Sequence, residues 1–151
     1  MPGRYVYDYP RPAVTSDVAV LRLEKIPEIL LVQRRDPPFP KMWALPGGFM
    51  ELEETLEEAA RRELLEETGI RAVELIRFGT YDKPGRDPRG RTITQVFVMI
   101  WKEEMGTPKA GSDAAALRWF SLDNLPALAF DHLEIITDVI RTIRKGDQET
   151  D

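Results

Sequence analysis

Apolar positions recur with a period of two along Ala13–Leu23, where Val14, Val18 and Val20 are set against Ala19, Leu21 and Leu23. Carried by β-branched residues, that alternation predicts a strand. A turn at Glu24–Pro27 leads to a second predicted strand, Glu28–Arg34, which Arg35-Asp-Pro-Pro-Phe-Pro brings to an end. Trp43–Leu45 is a short strand before a turn at Pro46-Gly47-Gly48. Arg71–Tyr81, through Val73, Leu75 and Phe78, and Arg91–Trp101, through Ile93, Val96, Phe97, Val98 and Ile100, continue the sheet. Glu103–Asp113 reads as loop, Ala116–Phe120 as a strand, and Ser121–Pro126 as a polar turn. A last amphipathic helix, N-capped by Asp131, uses Leu133, Ile136, Val139, Ile140 and Ile143 and is expected to stop at Gly146. Strands interspersed with one early and one late helix predict an α/β fold with a mixed β-sheet between helices.

The early helix breaks the pattern of its neighbours. At about 100° per residue, Leu56, Ala60, Glu63 and Glu67 fall on one stripe, so a line that begins as a core contact continues as carboxylates. Thr55 with Glu58 reads as a capping box, and Gly69 closes the helix. Glu57 with Arg61, Glu58 with Arg62 and Arg62 with Glu66 are i,i+4 pairs, which a solvated face explains at about 0.2–0.5 kcal/mol each. They do not explain Glu63 and Glu67. Charges that take over a buried stripe need a cation or a metal to compensate them.

Composition narrows the chemistry. With 151 residues the chain is expected to form one domain over 13–146, preceded by an extended arm over 1–12 and followed by a disordered tail over 147–151. The arm's three tyrosines suit either stacking on a nucleotide base or packing on a second subunit, which would make a homodimer. A net charge of −5 disfavours nucleic acid as a partner. The longest apolar run, Val96–Trp101, falls far short of the ~20 residues that span a bilayer. No apolar signal segment opens the sequence, so no membrane partner is expected and the cytosol is the expected compartment. With no cysteine and one histidine, carboxylate oxygens are the available ligands, and these favour Mg²⁺ or Mn²⁺ over zinc. Such ions act with phosphate-bearing substrates, so metal-dependent hydrolysis of a diphosphate is the expected reaction class. Competing designs lack support: no nucleophile elbow surrounds Ser16, Ser112 or Ser121, no P-loop or dinucleotide fingerprint occurs, and His132 reads as an exposed or hydrogen-bonded first-turn residue.

Gly48, Glu54, Arg62, Glu63, Leu64, Glu66, Glu67, Gly69 and Ile70 fill every specified position of the pattern G-x5-E-x7-R-E-U-x-E-E-x-G-U, where U is a bulky apolar residue. A chance match at a given start is on the order of one in ten million. The stretch resembles the Nudix box, and Trp43–Gly47 resembles the segment that leads into it. The resemblance implies an α/β/α sandwich. It also implies Glu63 and Glu67 as direct metal ligands, Glu66 as a third ligand or holder of a water, the Gly47 carbonyl as a further ligand, and a structural Glu54–Arg62 pair. Among the box carboxylates it makes Glu66 and Glu67 catalytic. A further acid before the strand ending in Trp119-Phe120 is implied as base, with Asp113 preferred over Glu103 and Glu104. Pro84 and the Arg86–Arg91 segment resemble the ADP-ribose pyrophosphatase branch; a solvated hairpin turn would explain the same prolines and glycines. Arg34, Arg35, Arg86, Arg89 and Arg91 are the candidate diphosphate contacts. The leading expectation is hydrolysis of ADP-ribose to AMP and ribose 5-phosphate. Dinucleoside polyphosphates, NADH and oxidised nucleotides follow, and a non-catalytic domain that senses a nucleotide sugar is the alternative.

Overall fold

The computed structural model describes the backbone of residues 4–150 and the side chains through Gly146. Its spine is β1 (Ala13–Arg22), which runs parallel to β6 (Thr92–Ile100) along its whole length, from Ala13 opposite Thr92 to Leu21 opposite Ile100. The other pairings between strands are antiparallel, and one isolated parallel bridge joins Trp43 to Leu128. On its other edge β1 meets β2 (Glu28–Gln33) only at Leu21 and Arg22, and β4 (Gly47–Phe49) at Thr15–Asp17. Two strands therefore divide one edge between them, and the sheet splays open between β1 and β2. β2 continues against β3 (Trp43–Ala44) and along its full length against β7 (Ala116–Ser121), while β5 (Ile76–Tyr81) closes the far side on β6.

The alternation of β1 sends its side chains to two cores. Val18 and Val20 pack with Leu30, Phe97 and Met99 under α1 (Leu56–Thr68), which contributes Ala60 and Leu64. Ala19 and Leu21 pack on the opposite face with Ile29, Leu31 and Val96, beneath Ile135, Ile136 and Val139 of α2 (His132–Thr150). The mixed sheet between helices is thus the expected α/β/α sandwich. No helix among the described residues is long and apolar enough to cross a membrane.

Several element bounds differ from expectation. Gly47-Gly48, expected as a turn, begins β4, because the extended backbone pairs with Ser16 and Asp17. The expected strand Arg71–Tyr81 forms only from Ile76; Val73 is exposed, and Arg61 instead holds this segment through the Ala72 and Val73 carbonyls. A 3₁₀ turn occupies Glu103–Met105 within the expected loop. Gly146 does not stop α2, which continues to Thr150, so the tail expected to be disordered is helical to that point. Residues 4–12 carry neither helix nor strand and bend at Asp8-Tyr9, whereas Met1–Gly3 and Asp151 lie outside the described residues.

Candidate active site

The α1 end of the site is fixed by local sequence. Thr55 accepts from Glu58 N–H at 3.1 Å while the Glu58 carboxylate accepts from Thr55 N–H at 3.0 Å, so the capping box is complete. Gly69 ends the helix at φ 74°, with its N–H on Leu65 O at 2.9 Å. Glu57 pairs with Arg61 at 3.3 Å as expected; Glu58 is spent on the cap rather than on Arg62.

Arg62 joins three segments. It donates to both Glu54 oxygens at 2.6 and 2.9 Å, to Glu63 Oε1 at 2.8 Å and to the Phe49 carbonyl at 3.0 Å, with Glu66 at 3.4 Å. The Arg62 hydrogen bonds hold the Glu54 carboxyl below its usual range, and Glu54 in turn raises Arg62. Loop, helix and β4 are thereby pinned around Glu63. Gly48 is required beside it, since a Cβ there would stand 2.6 Å from the Glu63 carboxylate.

Glu67 is the electrostatic centre. Burial first, then the adjacent Glu63 carboxyl, pushes its pKa up to about 9, although the Gly47 N–H donates to it. Two carboxyls placed this way share a proton or discharge onto a cation. The pair suits a hard divalent ion, which takes oxygen ligands. Glu66, expected as a third ligand, is exposed and turned toward Arg62. Among the described residues, no three Asp, Glu or His side chains converge as a ready-made metal cage.

A cavity of about 1180 Å³ opens over this helix, lined on one side by Gly47, Gly48, Arg62 and Glu63. Its floor holds a polar cluster that sequence reasoning missed. Asp17, from the middle of β1, accepts from Thr94 Oγ1 at 2.6 Å and lies 3.9 Å from His132 Nε2. Burial raises the Asp17 pKa and lowers that of His132. His132 Nδ1 accepts the Leu45 N–H at 3.0 Å, so a neutral ring carries its proton on Nε2, toward Asp17. The signal was an aspartate inside a predicted strand, next to the apolar run Val18–Leu21, a conflict between local pattern and burial.

The facing wall carries the arginines. Arg86 is buried and makes a bidentate pair with Asp131 at 2.7 and 2.9 Å, which ties the 82–91 loop to the start of α2. Burial alone would lower the Arg86 pKa, but Asp131 outweighs it. Arg89 grips buried Asp87 at 2.8 and 3.1 Å and stacks over Phe49 at 5.0 Å and Phe130 at 5.5 Å. Arg34 covers Phe130 at 4.9 Å and donates to the Pro38 carbonyl at 2.7 Å. Burial and the neighbouring Arg89 charge lower the Arg34 pKa. Phe130 itself holds φ 54°, a left-handed conformation costing about 1–2 kcal/mol for a bulky residue, between these two cations. Neither Arg91 nor Pro84 lines this cavity.

Asp113 borders the main cavity and also a smaller one of about 200 Å³ that reaches Glu67. Arg35 donates to the Ser112 carbonyl at 3.0 Å and stands 3.7 Å from Asp113, so it holds the loop. Lys109 and Gly111 N–H groups cap the Thr68 and Glu67 carbonyls at 2.8 and 3.0 Å, seating the same loop on the acidic end of α1. Glu104 lines a different cavity beside Ile76 and Val98.

A sandwich whose box helix ends in an enclosed carboxyl pair defines a class, and comparison with known proteins agrees. The NUDIX domain model matches residues 12–139. An ADP-ribose pyrophosphatase of Methanocaldococcus jannaschii is 47% identical over 133 residues, 88% of this chain and 76% of that one. The NUDIX domain of Shewanella oneidensis NrtR, solved with ADP ribose, aligns at a TM-score of 0.82 and 27% identity over 91% of this chain and 94% of that one. A bifunctional NMN adenylyltransferase/ADP ribose pyrophosphatase of Francisella tularensis, solved with AMP and a Mn ion, aligns at a TM-score of 0.80 and 32% identity over 90% of this chain but only 43% of its own. The chain belongs to the NUDIX family, as a Nudix hydrolase.

Proposed function

We propose that the protein hydrolyses a nucleoside diphosphate linked to a second moiety, with ADP-ribose as the preferred substrate and AMP and ribose 5-phosphate as products. The observation that carries this reading is the enclosed Glu63–Glu67 pair beside a cavity of about 1180 Å³ whose far wall bears Arg34 and Arg89. The volume exceeds the usual range of about 300–1,000 Å³ for small-ligand pockets and suits a ligand with two bulky ends. The M. jannaschii relative, named for ADP-ribose, supports the same substrate.

Glu63 and Glu67, with the Gly47 carbonyl, would hold a divalent cation, Mg²⁺ or Mn²⁺. When bound, such an ion neutralises charge on phosphoryl oxygens and acidifies water. The remaining steps belong to the chain. Arg34 and Arg89 each spend Nε and Nη2 within the protein and leave Nη1 without an acceptor among the described residues, so that Nη1 would be free to donate to phosphate oxygens. Arg62 keeps Glu63 oriented. Asp113, exposed on the loop beside Arg35, takes a proton from the attacking water, and the loop's contacts with α1 set its approach. Glu66, bonded only loosely to Arg62, serves as the mobile acid on the helix itself. The partner is a small nucleotide, and the cytosol is the compartment in which it is met.

The test is a substrate panel of ADP-ribose, a diadenosine polyphosphate, NADH and an oxidised nucleoside triphosphate, assayed with Mg²⁺ and with Mn²⁺. The expected result is highest kcat/KM on ADP-ribose, with AMP and ribose 5-phosphate formed in equal amounts. Tight ADP-ribose binding without turnover would make the domain a sensor, and preference for another member would move the substrate.

A further inference from the structure

His132 reaches the backbone beside Gly47 from the opposite layer of the sandwich, although no position of the Nudix box lies on α2. Trp43, where this backbone begins, is fixed by main-chain bonds alone. Its N–H donates to Ala127 O at 3.0 Å and its carbonyl accepts from Ala129 N–H at 2.8 Å, around the parallel bridge to Leu128. Along an extended chain the N–H of Leu45 points to the same side as that of Trp43. By then the partner segment has turned away: Phe130 holds φ 54° and α2 begins at His132. The Leu45 N–H goes instead to His132 Nδ1 at 3.0 Å, so an imidazole nitrogen stands where a carbonyl would continue the bridge. The ring is seated in turn, since the His132 N–H donates to Ala129 O at 3.1 Å and Nε2 faces Asp17 Oδ2 at 3.9 Å.

Leu45 and His132 are both buried. An N–H this deep costs free energy when left unpaired, so removal of Nδ1 obliges the segment to shift towards another acceptor. Little slack separates Leu45 from Gly47. Pro46 has its φ fixed by its ring, and its carbonyl accepts from Val18 N–H at 2.9 Å. Gly47 lies opposite Asp17 so closely that a Cβ would stand 2.2 Å from Asp17 Oδ1 and from Ser16 O. Its N–H donates to Glu67. A shift at Leu45 is therefore passed on to Gly47, where it moves the carbonyl assigned to the cation and the N–H that meets Glu67 together.

We propose that His132 is a positioning residue for the metal centre, its Nδ1 holding the Leu45–Gly47 backbone so that the Gly47 carbonyl faces the cation held by Glu63 and Glu67. This rests on the metal assignment above and adds the support that comes from α2. The requirement is an acceptor at the Nδ1 position, not an imidazole as such.

The test uses the full chain and reads binding without turnover. Asn places an amide oxygen close to the position of Nδ1, Gln carries its amide one bond further out near Nε2, and Leu offers no acceptor. Calorimetric Mn²⁺ binding to metal-free wild type, His132→Asn, His132→Gln and His132→Leu is compared, with thermal unfolding of each. The Gln and Leu variants should bind Mn²⁺ at least roughly tenfold more weakly, while the Asn variant stays within about twofold of wild type. For ADP-ribose, kcat should follow the same order with KM held. Affinity that tracks melting temperature, with Asn no better than Leu, would make His132 a packing residue and overturn the inference, as would equal affinity in all four proteins. Should the Gln and Leu variants not fold, the wild type decides through the nitrogen NMR shifts of its single histidine. Nε2 should be protonated and Nδ1 bare, and Nδ1 should move when Mg²⁺ binds; a protonated Nδ1, or a ring indifferent to Mg²⁺, would overturn the inference. A wild type that binds no divalent ion would remove the metal assignment and this inference with it, whereas Mn²⁺ binding indifferent to position 132 removes the inference alone.

Discussion

The α1 wall of the cavity, with Gly47, Gly48, Arg62 and Glu63, comes from one continuous stretch in which Arg62 reaches back to Glu54 and Phe49. The facing wall gathers Tyr5, Tyr7, Arg34, Arg89 and Phe130 from distant parts of the chain. The first is held by a capping box, a glycine cap and the Arg62 cluster. The second is held by cation contacts with aromatic rings and by the Arg86–Asp131 pair. Rigid local geometry suits the reaction that a family shares, and a wall assembled from loops suits the substrate that varies within it. Substitutions on the α1 wall should accordingly strike kcat, and those opposite should strike KM.

The largest effect is expected from Glu67→Gln, which keeps volume and removes one carboxylate from the pair. Turnover should fall at least about a hundredfold with the fold retained. The metal-free variant should melt no lower than wild type, since Gln replaces a carboxyl whose charged form burial and Glu63 disfavour in the fold. Thermal unfolding and kinetics on one sample check both, and near-normal kcat would erase the contrast between the walls.

Asp113→Asn comes next. Loss of a general base typically costs a hundredfold or more, so kcat should drop by roughly that factor with Tm unchanged, because Asp113 is almost fully exposed. Glu103→Gln and Glu104→Gln serve as comparators in saturating ADP-ribose, and loss in either of those instead would move the base.

These expectations also mark how far the sequence could be read. The Glu54–Arg62 pair was implied by the resemblance to the Nudix box, whereas α1 and its caps were legible because each is encoded within one or two turns, where a period and a spacing suffice. So were β1, β2 and β6, whose alternation is strong. β4 was not: Gly47-Gly48 looks like a turn, and only pairing with Ser16 and Asp17 extends it. Asp17 and His132 meet across most of the chain, so neither announces the other in sequence. Asp131 was read as an N-cap from its place before a helix, yet its carboxylate is taken by Arg86. Gly146 carries no barrier to helix strong enough to end α2 without a turn to replace it.

Arg62→Ala sharpens the comparison from the stability side. It leaves Glu54 and Glu63 without their hydrogen-bonded cation, which should cost about 2 kcal/mol and lower Tm by about 4–8 °C. Chemical denaturation checks the value, and an unchanged midpoint would mean that the loop is held elsewhere.

A smaller and different effect is expected at Arg86. Since Arg86 binds Asp131 rather than facing the substrate freely, Arg86→Ala should loosen the 82–91 loop and raise KM for ADP-ribose roughly tenfold with little change in kcat. Arg86→Lys should recover only part, because an ammonium cannot replace the bidentate fork. A fall in kcat without a rise in KM would place Arg86 with the catalytic wall.

The central claim is that Glu63 and Glu67 are an enclosed pair made to receive a cation, and its most direct test counts protons. With Glu67 raised to about 9 from an ordinary 4.5, the metal-free fold holds a proton that the unfolded chain has already lost at neutral pH. Its stabilising share is complete below about pH 4.5 and is lost as pH rises through about 9. Titrating Mn²⁺ into metal-free protein at pH 7.5, by calorimetry in buffers of different ionisation enthalpy, should therefore release about one proton per ion bound, and Glu67→Gln should release none. Tight ion binding with no proton released, or the same release from the Gln variant, would contradict the account.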